Sequence, residues 1–578
     1  MNQLLPGQLF YIFGASILDA ALLSWLALLW YRRSVDRLMR GAPADAAAGS
    51  LNNHNSSAPS CHDSSGPSRS AASPIELGEL KLEEERPEAS PQRAAVLRPK
   101  FFRVVVAYSV GAAAFAATIT GFKFWTASPP LPAVAWLADW WANLWPVVPT
   151  LAALLVLDRP LALRLVLLYL LGGATAICLF TAAGQLLRGT LNTAPVTNIF
   201  WGVVSLAWTA SIPFAVIVLT GWRRVRAVMP LALAGTLLFG FGSILFRDVL
   251  VRALNVEWFR AVFLSAAGLS SPETLQYALF MLVSLPVGWL AWRLLSFLAA
   301  AFAKKRFSDI QLVVDCWWAV VAAEVTAVSL STTLGFMGIA GGVAAFVAYR
   351  LAVAAVLRGD RPPQRGPRLL LLRVFGYQAR TESLFDRVAQ TWRLQGPVQL
   401  IAGVDLAMRT ADPGDMLALL GGRLAEAYVR TPEDVGERLA RLDLRPDPDG
   451  RFRINEVYCH DNTWRTTLEA LLDGTDRVLM DLRSFSAHNA GCRFELEQIV
   501  RRVPTDNIVL VCDKTTDLPL LHEILAAAWA AERRERHEGG SGGISVVRME
   551  RQTRSEFALL MHRLQRGAQL PMERQANA

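Results

Sequence analysis

The distribution of hydrophobic residues changes abruptly near residue 365 of this chain. Before that point long apolar runs recur, and after it charged amphipathic segments alternate with short apolar stretches. A helix needs roughly 20 apolar residues to cross the hydrocarbon core of a bilayer, where its own backbone hydrogen bonds must satisfy every polar group. The pattern therefore predicts a helical membrane half followed by a soluble half.

Nine segments have the length and composition of transmembrane helices, although Arg247 and Asp248 cut the sixth one short. In chain order they are residues 9–31, 104–124, 137–157, 165–187, 199–221, 231–246, 275–297, 312–334 and 339–357. We assign residues 1–40 to the first transmembrane helix and residues 100–358 to a polytopic helical membrane domain.

Residues 41–99 separate the first two predicted spans and are rich in Ala, Ser, Pro and Asn. A segment of this composition cannot bury enough apolar surface to offset the conformational entropy that folding would remove. We predict a disordered cytosolic linker.

The basic residues indicate the orientation of the membrane half, because Lys and Arg near span ends collect on the cytoplasmic side. An N-terminus outside places the basic clusters at 32–40, 223–226 and 304–306 inside. We therefore predict a cytoplasmic C-terminal half and a multi-pass protein of a bacterial-type inner (plasma) membrane. The net charge of +9 then follows from topology, so the lipid bilayer is the expected partner and nucleic acid is not.

Neither disulfides nor a bound metal are expected. The six cysteines contain no CxxC pair, and three of them fall in the inward-facing half, where thiols stay reduced. Cys459, His460, His488 and Cys492 are metal-ligand types, but they lack the paired short spacing of a zinc site.

Residues 368–570 alternate between short apolar strands and amphipathic helices. The predicted strands are 369–375, 398–404, 477–482, 507–512 and 544–549, and the predicted helices are 382–394, 416–429, 463–472, 492–503, 518–533 and 556–564. Regular alternation of this kind predicts an α/β domain with a doubly wound, mostly parallel sheet. Residues 452–458 are predicted to add an edge strand within an insertion.

Ligands bind such sheets beyond the carboxyl ends of the strands. The polar residues that follow the predicted strands include Arg380, Asp405, Arg483, Ser484 and Ser486. The two arginines suit a phosphate or another anion, so we consider all five as candidate cofactor-binding residues. A rim of solvated polar loops is the alternative.

The segment 481–499 reads DLRSFSAHNAGCRFELEQI. Its strand end, serine loop and Cys-x-x-Glu-Leu helix start resemble those of the Toll/interleukin-1 receptor (TIR) family. The resemblance covers at most the C-terminal third of the chain, and Gly491 stands where that family usually has Trp. It implies a TIR/flavodoxin-like fold, NAD or a related nucleotide as substrate, Glu495 as the catalytic carboxylate, and a homo-oligomer assembled through the cytosolic domain.

Physical reasoning alone gives Glu495 a narrower role. A helix that begins at residue 492 puts this carboxylate in the first turn, where the helix macrodipole favours a negative charge whatever its function. In a protein that cleaves NAD, the carboxylate would stabilise oxocarbenium-like charge as the glycosidic bond breaks.

Three hypotheses for function stay open. The first is a membrane signalling or effector protein with a nucleotide-binding TIR-like domain that cleaves NAD, and the second is a non-catalytic membrane-anchored interaction module. The third is a transporter or channel with a regulatory cytosolic domain. It depends on Asp19, Asp315 and Glu324, which lie within apolar runs, where an ionisable group is expensive to bury and usually functional.

Overall fold

A computed structural model describes most of the chain. The described residues are 6–40, 91–125, 133–154, 164–165, 167–168, 170–175, 178, 226–268, 271–358, 366–374, 378–402, 413–460, 462–536 and 544–566. Within them, an all-helical membrane half precedes an α/β domain, which agrees with the predicted fold class.

The membrane half consists of helices that we number in chain order. They are α1 (Pro6–Arg40), α2 (Pro91–Trp125), α3 (Ala133–Leu144), α4 (Val147–Leu154), α5 (Met229–Ala253), α6 (Glu257–Ala267), α7 (Pro272–Ala303), α8 (Asp309–Val325, continued as a π-helix over Thr326–Leu330), α9 (Ser331–Leu334) and α10 (Phe336–Leu357). Among the described residues, α1, α2, α5, α7, α8 with its π-helix, and α10 are long and apolar enough to cross a membrane, as expected of a multi-pass membrane protein.

These helices confirm six of the nine predicted spans. The third prediction, 137–157, corresponds in its described part to α3 and α4, which are separated by a turn at Trp145 and Pro146. The prediction for 199–221 lies outside the described residues, and that for 165–187 lies mostly outside them. Helix α2 begins at Pro91, so the end of the predicted linker is helical, and residues 41–90 are outside the described part.

The sixth predicted span is longer than its charges suggested. Arg252 pairs with Asp248 one turn earlier, with 3.1 Å between Nε and Oδ2, and donates a hydrogen bond of 2.6 Å to the carbonyl of Ser331. Because Asp248 is paired within the helix, its charge does not end α5, which continues to Ala253.

The sheet of the α/β domain contains seven described strands. They are β1 (Leu369–Arg373), β2 (Val398–Ala402), β3 (Tyr428–Val429), β4 (Ile454–Cys459), β5 (Arg477–Asp481), β6 (Ile508–Cys512) and β7 (Ser545–Arg548). Every pair is parallel, in the order β3-β4-β2-β1-β5-β6-β7. The parallel sheet was predicted, but the prediction of an edge strand at 452–458 was wrong, because β4 pairs on both sides and β3 forms the edge.

Helices cover both faces of the sheet. In chain order they are α11 (Gln378–Trp392), α12 (Pro413–Leu420), α13 (Asp434–Ala440), α14 (Trp464–Leu472), α15 (Ala490–Arg502), α16 (Leu518–Arg536) and α17 (Arg554–Arg566). Helices α11 and α17 pack into one hydrophobic core, and α14, α15 and α16 pack into the core of the opposite face. The central strands β1, β5 and β6 are mostly apolar because they are buried on both sides.

Buried polar contacts join the two halves at a junction, the contact region between the ends of α1, α7 and α8 and the α/β domain. Arg393, just after α11, donates to both carboxylate oxygens of Asp309, the first residue of α8, at 2.8 and 3.0 Å. The hydroxyl of Ser308, which caps α8, donates to Asp449 at 2.6 Å. A bidentate, charge-assisted pair of this kind fixes orientation as well as distance.

Apolar side chains complete the junction. Tyr31 and Val35 of α1 belong to the core that covers the α11 face of the sheet. Phe302, near the end of α7, packs with Leu417 of α12 and lies under the guanidinium of Arg453, whose central carbon is 3.7 Å from the ring centroid. The membrane half and the α/β domain therefore form one packed unit.

Candidate functional site

The strand order places a topological switch point between β1 and β5. From β1 the chain proceeds to β2 on one side, and it later returns to β5 on the other side. In open parallel sheets the crevice outside the carboxyl ends of two such strands is the usual ligand site. Here those ends are Arg373 and Asp481, which are register partners.

Five charged residues with almost fully buried side chains surround this point. We call them the switch-point cluster: Arg373, Asp481, Arg483, Glu495 and Asp513. Charged side chains are rarely buried unless they are paired or functional, so the concentration of five at one sheet edge marks it as the candidate site.

Arg483 does not extend into solvent, as a free anion ligand would. Its Nε and one terminal nitrogen donate to the two carboxylate oxygens of Asp481 at 2.8 and 2.6 Å, and the residue is 1% exposed. The other terminal nitrogen, Nη1, is buried without a hydrogen-bond partner among the described residues. The charges of Arg483 and Asp481 nearly cancel, and Nη1 of Arg483 is left to donate to a ligand.

Glu495 lies deeper in its helix than predicted. Helix α15 begins at Ala490, so Glu495 is in the second turn, and the expectation that it lies in the first turn was wrong. The macrodipole acts mainly within the first turn and therefore contributes little here. The helix begins two residues before residue 492, the start that the spacing of apolar residues predicted.

The carboxyl group of Glu495 is buried and incompletely satisfied. The residue is 3% exposed, and its Oε2 atom has no hydrogen-bond partner in the described part of the chain. Burial raises the pKa of Glu495 to about 8, and the attraction of the Arg373 guanidinium opposes this rise. The carboxyl is thus mostly protonated at pH 7.

Ser484 and Ser486 shape the loop between β5 and α15. The Ser484 amide donates to the Thr515 hydroxyl at 3.0 Å, and Ser484 has a left-handed φ of 66°. The Ser486 amide and hydroxyl donate to the side-chain oxygen of Asn489, at 2.9 and 3.2 Å. Both predicted ligand residues are therefore engaged in holding the loop in place.

Arg380 reaches the cluster from α11. One terminal nitrogen is 3.4 Å from the carboxylate of Asp513, and the other donates to the carbonyl of Glu550. Its side chain is 41% exposed, so this cation is open to solvent at the β6 and β7 end of the site. The fifth predicted residue, Asp405, lies outside the described residues.

The structure thus brings Arg380, Arg483 and Glu495 to one edge of the sheet, together with Arg373, which sequence reasoning missed. The available signal was the single cation that ends the otherwise apolar strand β1, LLLLR. Among the described residues, no group of three or more His, Cys, Asp or Glu side chains is placed to hold a metal ion. The chemistry that the cluster offers is cationic recognition of an anion beside a carboxyl group of raised pKa.

No protein-family model, no curated protein and no solved structure matches this chain.

Proposed function

We propose that this chain is a multi-pass membrane protein whose C-terminal domain lies in the cytoplasm and binds a nucleotide at the switch-point cluster. The observation that carries the proposal is the buried carboxyl of Glu495, with its unpartnered Oε2. An unsatisfied buried polar group costs about 1–3 kcal/mol, so its retention suggests that a ligand completes it.

The cations of the cluster suit the phosphates of such a ligand. Nη1 of Arg483 has a free donor, and the partly exposed Arg380 lies at the open end of the site. A hydroxyl of the ribose could then bond to Glu495. Because Glu495 is 3% exposed, the ligand must displace side chains that cover it.

NAD cleavage is the reaction that the resemblance to TIR domains suggests for Glu495. Stabilisation of an oxocarbenium-like transition state needs the carboxylate, whereas a pKa of about 8 keeps the group mostly protonated at pH 7. We therefore expect cleavage to increase as the pH rises from 6 towards 8. Assembly of a homo-oligomer through the α/β domain belongs to the same proposal.

The test is nucleotide binding and NAD turnover by the full-length protein in lipid nanodiscs. Glu495→Gln should abolish turnover, and the matched control Glu497→Gln should not, since Glu497 forms an exposed pair with Arg493 two residues away from the site. Binding without turnover in the wild-type protein would favour the non-catalytic module. Absence of both NAD and ADP-ribose binding by a folded protein would refute the nucleotide site.

The basic residues at the junction support the cytoplasmic orientation. Lys305 pairs with Asp443, and Arg226 pairs with Asp386 of α11. Positive charge at this end of the membrane helices is expected of a cytoplasmic face in a bacterial-type inner membrane. Labelling of an introduced surface cysteine, such as Arg441→Cys, by an impermeant reagent only after cell lysis would agree with this orientation.

A transporter or channel is the second candidate, and Glu324 favours it. This acidic residue of α8 forms no hydrogen bond or ion pair among the described residues, and it lies two residues before the start of the π-helix Thr326–Leu330. Single π-turns occur frequently at functional sites of helices. Loss of ion or solute flux in Glu324→Gln, with nucleotide binding unchanged, would support this function.

A further inference from the structure

Helix α7 is apolar enough to cross a membrane and is exposed along most of its length. In the described structure, none of its most apolar 18-residue window is buried. The exposed side chains include Tyr277, Met281, Leu285, Trp289, Leu290, Trp292 and Phe297. Among the described residues, Phe280 packs against Phe239 and Phe246 of α5, and most of the remaining apolar surface of α7 is left open to lipid or to another protein.

Lipid alone does not suit α7, because it carries Arg293 in the middle of this apolar surface. Arg293 is exposed and forms no ion pair or hydrogen bond with any residue that the structure describes. Its only described contact is with the ring of Trp289, 5.7 Å from the guanidinium carbon to the centroid. An unpaired arginine inside a membrane span costs up to about 3 kcal/mol, the cost at the bilayer centre, so a counter-charge is expected.

Helix α1 presents the complementary charge on its own exposed face. One side of α1 packs on α5, where the rings of Phe13 and Phe241 are 6.0 Å apart. The other side exposes Asp19 among Leu18 and Leu22. Asp19 likewise has no ionic partner in the described part of the chain.

The two charges lie at similar distances from the α/β domain along their helices. Tyr31 of α1 contacts Tyr458, and Phe302 of α7 contacts Arg453. Asp19 precedes Tyr31 by twelve residues and Arg293 precedes Phe302 by nine. At about 1.5 Å of rise per residue, Asp19 and Arg293 lie about 18 and about 14 Å before these contacts, a difference within the reach of an arginine side chain.

Two other acidic residues of the described membrane helices already have partners. Asp139 pairs with Lys123 at 2.8 Å, and Asp315 pairs with Arg350. The predicted spans 165–187 and 199–221 contain no acidic or basic residue, so by sequence they cannot neutralise either charge. Glu324, half-buried on α8, and Glu257, exposed at the start of α6, have no partner among the described residues and compete with Asp19 for Arg293.

We propose that α7 of one copy of this protein packs against α1 of a second copy in the membrane, with Arg293 paired to Asp19 of that second copy. Each copy carries both surfaces, so the contact is heterologous and closes into a ring if the rotation between copies permits it. A salt bridge in the low dielectric of the bilayer fixes the position of the two apolar helices relative to each other along their axes. The contact is separate from any assembly through the α/β domain.

Cysteine cross-linking in native membranes tests the contact directly. Differently tagged full-length copies carrying Asp19→Cys and Arg293→Cys are co-expressed and oxidised, and a cross-link between the two tags is expected. Each cysteine variant expressed with a wild-type copy shows how much cross-linking arises from the native cysteines. Leu351→Cys, on an exposed face of α10, replaces Arg293→Cys as the matched negative control.

Charge reversal tests the ion pair. Asp19→Arg and Arg293→Asp should each lower the oligomer population, measured by single-molecule photobleaching in membranes, about tenfold at equal protein density, which corresponds to about 1.4 kcal/mol. The double reversal should restore it, which also shows that the variants fold. A monomeric wild type, no cross-link between the two tags, or oligomer loss in Glu324→Gln but not in Asp19→Asn would each overturn the proposal.

Discussion

Replacing Glu495 by Gln should stabilise the protein, and increasingly so as the pH rises. Glutamine keeps the shape of the side chain but cannot ionise, so it avoids the charge that burial disfavours. The pKa of Glu495 in the folded protein is about 8, against an ordinary value of 4.5. A group of this kind makes the folding free energy depend on pH between those two values.

The sign follows from where the proton is bound. Below pH 4.5 the carboxyl is protonated in both states and carries no penalty. As the pH rises towards 8, the unfolded chain releases its proton while the folded protein keeps it, so wild-type stability falls by about 1.4 kcal/mol for each pH unit. The loss reaches roughly 3 kcal/mol at pH 7 and roughly 5 kcal/mol above pH 8.

The assay is thermal unfolding of the full-length wild type and Glu495→Gln in the same detergent from pH 5 to pH 9. The two proteins should unfold at similar temperatures near pH 5. At pH 7 the variant should be more stable by several degrees, at about 2–4 °C for each kcal/mol in a domain of this size. Glu497→Gln is the matched control, because it makes the same substitution in the same helix at a residue that pairs with Arg493 outside the switch-point cluster.

A constant difference between wild type and Glu495→Gln across this pH range would refute the reasoning, as would a variant that is less stable above pH 7. A constant difference would mean that Glu495 has the same pKa in the folded and unfolded states, and a less stable variant would mean that the folded protein stabilises the ionised carboxylate. A stabilising substitution that also removes nucleotide binding would instead show the trade-off between stability and activity expected of a functional residue.

Two further predictions concern buried ion pairs. Arg393→Met should lower the unfolding free energy by about 3–5 kcal/mol in a denaturant titration, because it leaves Asp309 charged and unpaired in the junction. Arg441→Met removes an exposed pair, so it should change the unfolding free energy by less than about 1 kcal/mol in the same titration. Arg483→Lys should weaken nucleotide binding about tenfold by calorimetry, because a lysine cannot hold Asp481 through two parallel hydrogen bonds and still donate to a ligand.

The sequence was sufficient where structure follows from local pattern. Long apolar runs identified the helices that the described residues confirm, and short apolar runs identified the strands β1, β2, β5, β6 and β7. The break between α3 and α4 at Pro146 was missed because the composition stays apolar across it, although proline lacks the donor that would continue the helix. The interior position of β4 was missed because strand order is a property of tertiary pairing.

The site was predicted less well because its chemistry depends on contacts. Arg483 follows a strand end, as a ligand residue should, but the loop turns its side chain back onto Asp481. The raised pKa of Glu495 depends on the packing of α15 over the sheet, which no local spacing reveals. The junction pair of Arg393 and Asp309 joins residues 84 positions apart, and nothing in either segment indicates the other.

Helix α11 links the candidate site to the membrane half. At its beginning, Arg380 contacts Asp513 of the switch-point cluster, and just beyond its end Arg393 binds Asp309, where α8 begins. The same helix also packs Leu384, Val388 and Trp392 into the core of the sheet. A charged contact at each end of α11 therefore connects the sheet edge with the start of α8, which is a property of the tertiary structure that no single segment of the sequence contains.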